Sequence, residues 1–211
     1  METTRKISIL RVQGGISSEI EETVVTEQKL HLYFNERLYA EVSCTPRNLE
    51  ELALGNALST GMIRGLTGGK LSPVPDGLCV PVDEVLAGMG EFLSKSDLFF
   101  DTGAMHSAAM IVDGKLMHFM EDVGRHNALD KTIGAALMAD TPLDRAVVLT
   151  SGRIPKDMIM KIVESRVQMV VSRSAPTGAA VEIALDKNVT LCGFAREKRI
   201  NIYTGRQRIV L

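Results

Sequence analysis

The chain has 211 residues, 45% hydrophobic and 24% charged, with 7 Pro and 18 Gly; this composition excludes collagen-like and wholly disordered chains and suits one compact domain with a real core. Lys and Arg number 24 against 26 Asp and Glu, a formal net charge of -2, so no whole-domain basic field exists to hold a nucleic acid and any anion site must be local. No apolar run approaches the roughly 20 residues needed to span a bilayer, and Met1 to Gly15 lacks the apolar core of a signal segment. A cytoplasmic protein with no membrane contact is expected. Cys44, Cys79 and Cys192 are widely spaced, with neither the density of a disulfide scaffold nor a Cys-x-x-Cys pair for zinc or dithiol chemistry.

In chain order, 23–34 and 37–44 are rich in Val, Leu, Tyr and Thr and flank Asn35-Glu36, which predicts two antiparallel strands joined by a tight turn. Asn48 offers a helix cap with Glu51 three residues on, and Leu49, Leu52, Ala53 and Leu58 recur at helical spacing, predicting a helix over 49–59. Gly61, Gly65, Gly68, Gly69, Pro73, Pro75, Gly77 and Pro81 then mark a long irregular segment carrying Cys79. Asp83 opens a helix with Val85, Leu86, Met89 and Phe92 on its apolar face. From residue 97 short apolar runs alternate with helices, the pattern of a layered α/β domain. The predicted elements are a strand over 98–100, a hairpin over 107–112 and 115–120 turning at Asp113-Gly114, helices over 126–138, 156–166 and 176–185, and strands over 146–149, 169–171, 189–191 and 200–203. The organisation expected is a hairpin-plus-helix lobe over 1–64, a Gly/Pro-rich loop and helix over 65–96, and an α/β core over 97–211, together one compact unit.

Several predicted strands end in small or hydroxyl residues: Thr102-Gly103, Thr150-Ser151-Gly152, Ser172-Arg173-Ser174 and Cys192-Gly193. In an open α/β sheet ligands collect at the carboxyl ends of parallel strands, where helix N-termini present unpaired N–H groups. Arg125, Lys131, Arg153, Arg173 and Arg196 lie close by in sequence, and a guanidinium grips phosphate through two parallel hydrogen bonds. The densest polar run, Glu121 to Lys131, joins a strand to a helix; there Gly124 allows a tight turn, Asp122 can fix Arg125 or a ligand hydroxyl, and His126 and Asn127 open the helix toward a ligand. His106 is available to pair with His126. No His-Glu-x-x-His, Walker loop or Gly-x-Ser-x-Gly occurs, so no metal site is expected, nor a P-loop or α/β-hydrolase.

Thr102-Gly103-x-x-His106-x-Ala108-Ala109, the run Glu121-Asp122-Val123-Gly124-Arg125-His126-Asn127-Ala128-x-Asp130-Lys131, and Ser151-Gly152-Arg153 together resemble the formate dehydrogenase accessory sulfurtransferase (FdhD/NarQ) family. Cys44-Thr45-Pro46, Glu50 to Gly55, Gly61-Met62-Ile63, Ser174-Ala175-Pro176 and Leu191-Cys192-Gly193-Phe194-x-Arg196 add to the likeness, which covers about residues 23–205. The resemblance implies a cytidine-deaminase-like α/β fold without its zinc. It also implies a maturation role, in which sulfur accepted as a persulfide from a cysteine desulfurase is passed to bis(molybdopterin guanine dinucleotide) before that cofactor enters apo formate dehydrogenase. Cofactor-binding residues are then Thr102, Gly103, His106, Asp122, Arg125, His126, Asn127, Lys131, Ser151, Gly152, Arg153, Ser172, Arg173, Gly193 and Arg196. The role leaves room for a homodimer.

One departure stands out. The family's Cys-Gly-x-Cys-Gly type loop is reduced here to Gly77-Leu78-Cys79-Val80-Pro81, and Ala104 stands where a cysteine is common. Cys79 is therefore the one candidate persulfide carrier, since Cys44 and Cys192 are expected on strands and buried. Three readings follow: a sulfur-transferring maturation factor, a cofactor or guanine-nucleotide-binding chaperone without sulfur transfer, and a deaminase-like enzyme using Asp122 or Glu121 as its acid.

Overall fold

The computed structural model describes residues 2–63 and 71–211; Gly65, Gly68, Gly69 and Lys70, part of the expected long loop, lie outside the described residues. The centre is a mixed six-stranded sheet. Its strands are β6 (His106–Val112), β7 (Lys115–Asp122), β8 (Val147–Thr150), β9 (Met169–Ser172), β10 (Thr190–Arg196) and β11 (Arg199–Thr204), in the order β11-β10-β9-β8-β6-β7. β8, β9 and β10 are parallel, while β6 runs antiparallel to β8 and β7, and β11 antiparallel to β10. The start of β6 and the ends of β7, β8 and β9 therefore share one edge of the sheet.

Both faces of the sheet are apolar, as strands buried on two sides require. Met110, Val148, Val170 and Leu191 pack on one face against Leu129 and Ile133 of α4 (Arg125–Met138), Met158 and Ile162 of α5 (Lys156–Glu164), and Ala180 and Ala184 of α6 (Gly178–Asp186). The alternate residues Ala109, Ile111, Val147, Leu149, Val171 and Cys192 face Val85, Met89 and Phe92 of α2 (Val82–Ser94). An outer helix, α1 (Leu49–Ser59), lies across α4. A Cβ on Gly55 would sit 1.8 Å from Asp130 O and one on Gly134 1.8 Å from Glu51 O, so the two backbones touch where only glycine fits.

That crossing is held by polar groups. Asp130 of α4 takes hydrogen bonds from Asn56 and Ser59 of α1 and from Lys161 of α5 at 2.6 to 2.9 Å. The expected apolar stripe of α1 is accordingly replaced by a buried face of Leu52, Gly55, Asn56 and Ser59. Asn48 precedes α1 in a left-handed conformation, φ 54°, and its amide reaches the Glu51 carboxylate at 2.9 Å instead of capping a backbone N–H.

Three other sequence expectations change. Residues 98–100 belong to a short helix, α3 (Asp97–Thr102), closed by Gly103 at φ 65°, so Thr102-Gly103 ends a helix and not a strand; the apolar run Leu98-Phe99-Phe100 carries no period that separates the two. Cys192-Gly193 lies inside β10. The 23–34 strand is two strands, broken at Thr26-Glu27: β2 (Ile16–Val25), which returns along β1 (Thr4–Gln13), and β3 (Gln28–Phe34), which pairs with β4 (Arg37–Cys44) across Asn35-Glu36, both at positive φ. Among the described residues no helix is long and apolar enough to cross a membrane.

Candidate functional site

The strand-end edge carries a half-open cavity of about 510 Å³ lined by Leu93, Ser96, Phe99, Phe100, Gly103, Ala104, Met105, His106, Ser107, Val123, Ser151 and Arg173, a size in the range of small-molecule sites. One wall is apolar: Leu93 ends α2, and α3 with the link after it supplies Phe99, Phe100 and Met105. The other wall is the start of β6 and the turns after β8 and β9. Ser151 Oγ accepts from the Ser107 N–H at 3.0 Å and lies 3.4 Å from His106 Nδ1. Arg173 is exposed at the rim, its N–H bonded to Thr150 O.

Behind His106 stands the first turn of α4. A Cβ on Gly152 would come within 3.0 Å of Arg125 Cβ, 3.1 Å of its Cδ and 3.4 Å of His106 Nδ1; glycine there lets the Arg125 stem lie across the β8 turn beside the histidine. Arg125 Nε is buried and has no hydrogen-bond partner among the described residues, a cost of about 1–3 kcal/mol that an anionic ligand would remove. His126 Nε2 sits 2.7 Å from Asp157 Oδ2 at the start of α5. Burial pushes the His106 pKa below the ordinary 6.5, and the nearby Arg125 and His126 charges push the same way. Burial also lowers His126, helped by Arg125 and Lys161 and opposed by Asp157. Near neutral pH both rings are therefore uncharged.

The remaining predicted residues divide by position. Asp122 and Lys131 are fully buried and bonded to each other at 2.6 Å, with Thr45 bonded to both. Neither reaches the cavity, and Asp122 fixes Lys131 rather than Arg125. The other Asp122 oxygen takes the Gly124 and Asn127 N–H groups at 2.9 Å, which sets the strand-to-helix turn. Gly124 has φ -103°, so the turn needs its small size, since a Cβ would meet Asn127 Nδ2 at 3.1 Å. Ser172 is buried and donates to Gly152 O at 2.7 Å; Gly193 lets β10 approach Ser174 O, where a Cβ would come within 2.9 Å. Thr102 closes α3 by donating to Leu98 O. Arg153 and Arg196 are exposed on loop and strand ends of the same edge. Glu121 faces a separate small cavity with Thr45, Arg47 and Leu98, bonded to Ser96. Phe99, Phe100, Met105 and Asp157 escaped the sequence reading. For the aromatics the signal was present but assigned to a strand.

Cys79 is exposed, whereas Cys44 and Cys192 are fully buried. Burial raises the Cys44 thiol and pushes Cys192 up to about 12. The Cys79 loop is tied to the amino edge of the sheet: Leu78 N–H bonds Gln168, just before β9, and Val80 of β5 (Val80–Pro81) pairs with Ile209 of β12 (Ile209–Val210). The 13 residues of α2 separate it from Leu93 at the cavity, a helix length of about 20 Å. Among the described residues no group of three or more His, Cys, Asp or Glu is placed to hold a metal ion.

Comparison with known proteins finds relatives along nearly the whole chain. The family model described as FdhD/NarQ family matches residues 66–210. "Sulfur carrier protein FdhD" of Listeria innocua is 29% identical over 260 aligned positions, covering 99% of this chain and 100% of that protein. Because the alignment is longer than the 211-residue chain, that relative carries segments with no counterpart here. "Protein FdhD" of Methanocaldococcus jannaschii is 30% identical over 221 positions, covering 95% of this chain and 96% of its own. The crystal structure of a Desulfotalea psychrophila protein described as a formate dehydrogenase accessory protein superposes with a TM-score of 0.89 at 26% identity, over 99% of this chain and 100% of that one. With the family model matching residues 66–210 and the fold shared over 99% of the chain, this protein belongs to the FdhD/NarQ family.

Proposed function

We propose that the protein serves formate dehydrogenase maturation, in the cytoplasm, by holding the guanine dinucleotide end of bis(molybdopterin guanine dinucleotide) at the strand-end cavity. The observation that carries this reading is the pairing of two unlike walls. His106, Ser151, Arg173 and Arg125 Nε, which has no partner among the described residues, line or back one wall, suited to phosphate; Phe99, Phe100 and Met105 form the other, suited to a flat ring. The cavity is sized for one nucleotide end, with the rest of the cofactor outside it. Three unpaired thiols fit a reducing compartment. Calorimetry with GDP tests the reading: binding that weakens as salt rises, and a roughly tenfold or greater loss in Arg173→Ala, are expected from a charge-assisted bond worth about 1.5–3 kcal/mol. No heat at millimolar GDP would refute it.

Sulfur transfer is a second activity with its own requirement. The relatives' names support it, and Cys79 has the exposure to attack the outer sulfur of a desulfurase persulfide, releasing the desulfurase thiolate and becoming a persulfide itself. Its position on the far edge favours the holding role over direct delivery into the cavity. Cells carrying Cys79→Ser should therefore retain formate dehydrogenase activity. Loss of activity with GDP binding intact, together with a +32 Da adduct on Cys79 after incubation with a cysteine desulfurase and cysteine, would establish sulfur transfer instead.

A further inference from the structure

One polar side chain on the aromatic side of the cavity has a task that phosphate binding does not explain. Ser96 stands just ahead of α3, only 6% exposed, and lines the cavity together with Phe99 and Phe100. The Phe100 N–H bonds Ser96 O at 3.1 Å, so the chain between them makes a single turn and keeps Ser96 beside both rings. Its hydroxyl caps no backbone N–H of α3. It donates instead to the carboxylate of Glu121 on β7. Glu121 is the register partner of Ser107, which also lines the cavity, so the carboxylate stands behind that wall and opens on the smaller cavity next to it. Arg47 lines the smaller cavity too, and its charge favours the carboxylate form.

This arrangement fixes the direction of a hydrogen bond. A hydroxyl has one proton and two lone pairs. With the proton committed to Glu121, Ser96 Oγ presents only lone pairs to the cavity, and among the described residues no N–H or O–H bonds to it. A negative charge at the far end of the bond makes the oxygen a better acceptor. The cavity thus offers, next to two aromatic rings, a buried group that accepts and does not donate.

Building on the nucleotide role of the cavity, we propose that Ser96, held by Glu121, selects the base, accepting from the neighbouring N–H groups that guanine carries at its ring N1 and its 2-amino position. A purine lying against Phe99 and Phe100 turns one edge toward Ser96. Guanine supplies donors there. Hypoxanthine keeps the N1 proton and lacks the amino group, and adenine in the same pose sets its own N1 lone pair against those of Ser96. A site with buried polar atoms rejects an analogue that leaves them unpaired. Ser96 is the specificity-determining contact, and Glu121 is a positioning residue that acts through it.

Calorimetry of the full chain with GDP, inosine diphosphate and ADP tests this. Wild-type protein should bind GDP about fivefold tighter than inosine diphosphate and tenfold or more tighter than ADP. Ser96→Ala should bring the three affinities within about twofold of one another, while Ser96→Thr, which keeps the hydroxyl, should retain the wild-type order. Glu121→Ala frees the Ser96 proton to donate to adenine N1, so the ratio of GDP to ADP affinity should fall severalfold with Ser96 still present. A serine that merely ties α3 to β7 would, when removed, weaken all three nucleotides alike and leave their ratios unchanged. That result, an unchanged ratio in Glu121→Ala, or equal wild-type affinities for the three nucleotides would overturn the proposal and leave the holding role of the cavity standing. Failure of the wild-type protein to bind any of them would remove the holding role, and base selection with it.

Discussion

Arg125 carries the strongest residue-scale signature of a binding role, because its buried Nε has no hydrogen-bond partner among the described residues while its stem is seated on Gly152. Gly152→Ala should push that stem away, since the new Cβ meets it at 3.0 Å, and weaken GDP binding about tenfold with a melting temperature near wild type; an unchanged affinity would mean the guanidinium is not at the ligand. The thiols differ in environment rather than in chemistry. Iodoacetamide should label Cys79 first and leave Cys44 and Cys192 unmodified in the native protein, because the latter are enclosed and held protonated by burial. Equal labelling of all three, read by mass spectrometry, would contradict the described packing.

At the scale of elements, the longer helices were legible and the six-residue one was not. Helix 49–59 was readable to the residue even though Asn48 does not cap it and its buried face is not the expected apolar stripe, and the hairpin turns at Asn35-Glu36 and Asp113-Gly114 followed from Asn, Asp and Gly, which accept positive φ. α3 was missed because six residues with a central Leu-Phe-Phe show no period, and its two exposed aromatics form the cavity's apolar wall. The β1–β2 ribbon was also missed, although Gly14-Gly15 flanked by Ile at alternate positions carries the hairpin signal; its exposure meant that no apolar run drew attention. Nor could spacing reveal that Asp122 and Lys131 turn inward, because a buried ion pair and a ligand site use the same residue types. The α1–α4 crossing gives a test at this scale. Gly134→Ala places a methyl 1.8 Å from Glu51 O, which should cost about 1–3 kcal/mol or more and lower the melting temperature by several degrees. A neutral result would mean that the helices separate without penalty.

For the whole molecule, the parallel strands and the glycine-relieved helix crossing bring residues 99–106, 125–126, 151–152 and 173 to one edge, while the Cys79 loop is tied to the other. Stability should follow the half-buried histidines. Burial lowers His106, His118 and His126 below 6.5, so the unfolded chain takes up protons that the fold resists. Their contribution is present above pH 6.5 and is lost as pH falls through the lowered values. Glu121, whose pKa burial raises, acts in the opposite sense, favouring the fold at acid pH relative to neutral. Melting temperature should fall between pH 6.5 and 5, and fall less in His106→Asn/His126→Asn; an equal slope in both proteins would mean that the histidines do not set the pH dependence. A crystal structure with GDP shows whether the strand-end cavity receives the nucleotide end of the cofactor. Phosphate oxygens are expected within hydrogen-bond reach of Arg125 Nε, His106, Ser151 or Arg173, with the base against Phe99 and Phe100. GDP bound elsewhere, or a cavity that stays empty at saturating GDP, would contradict it.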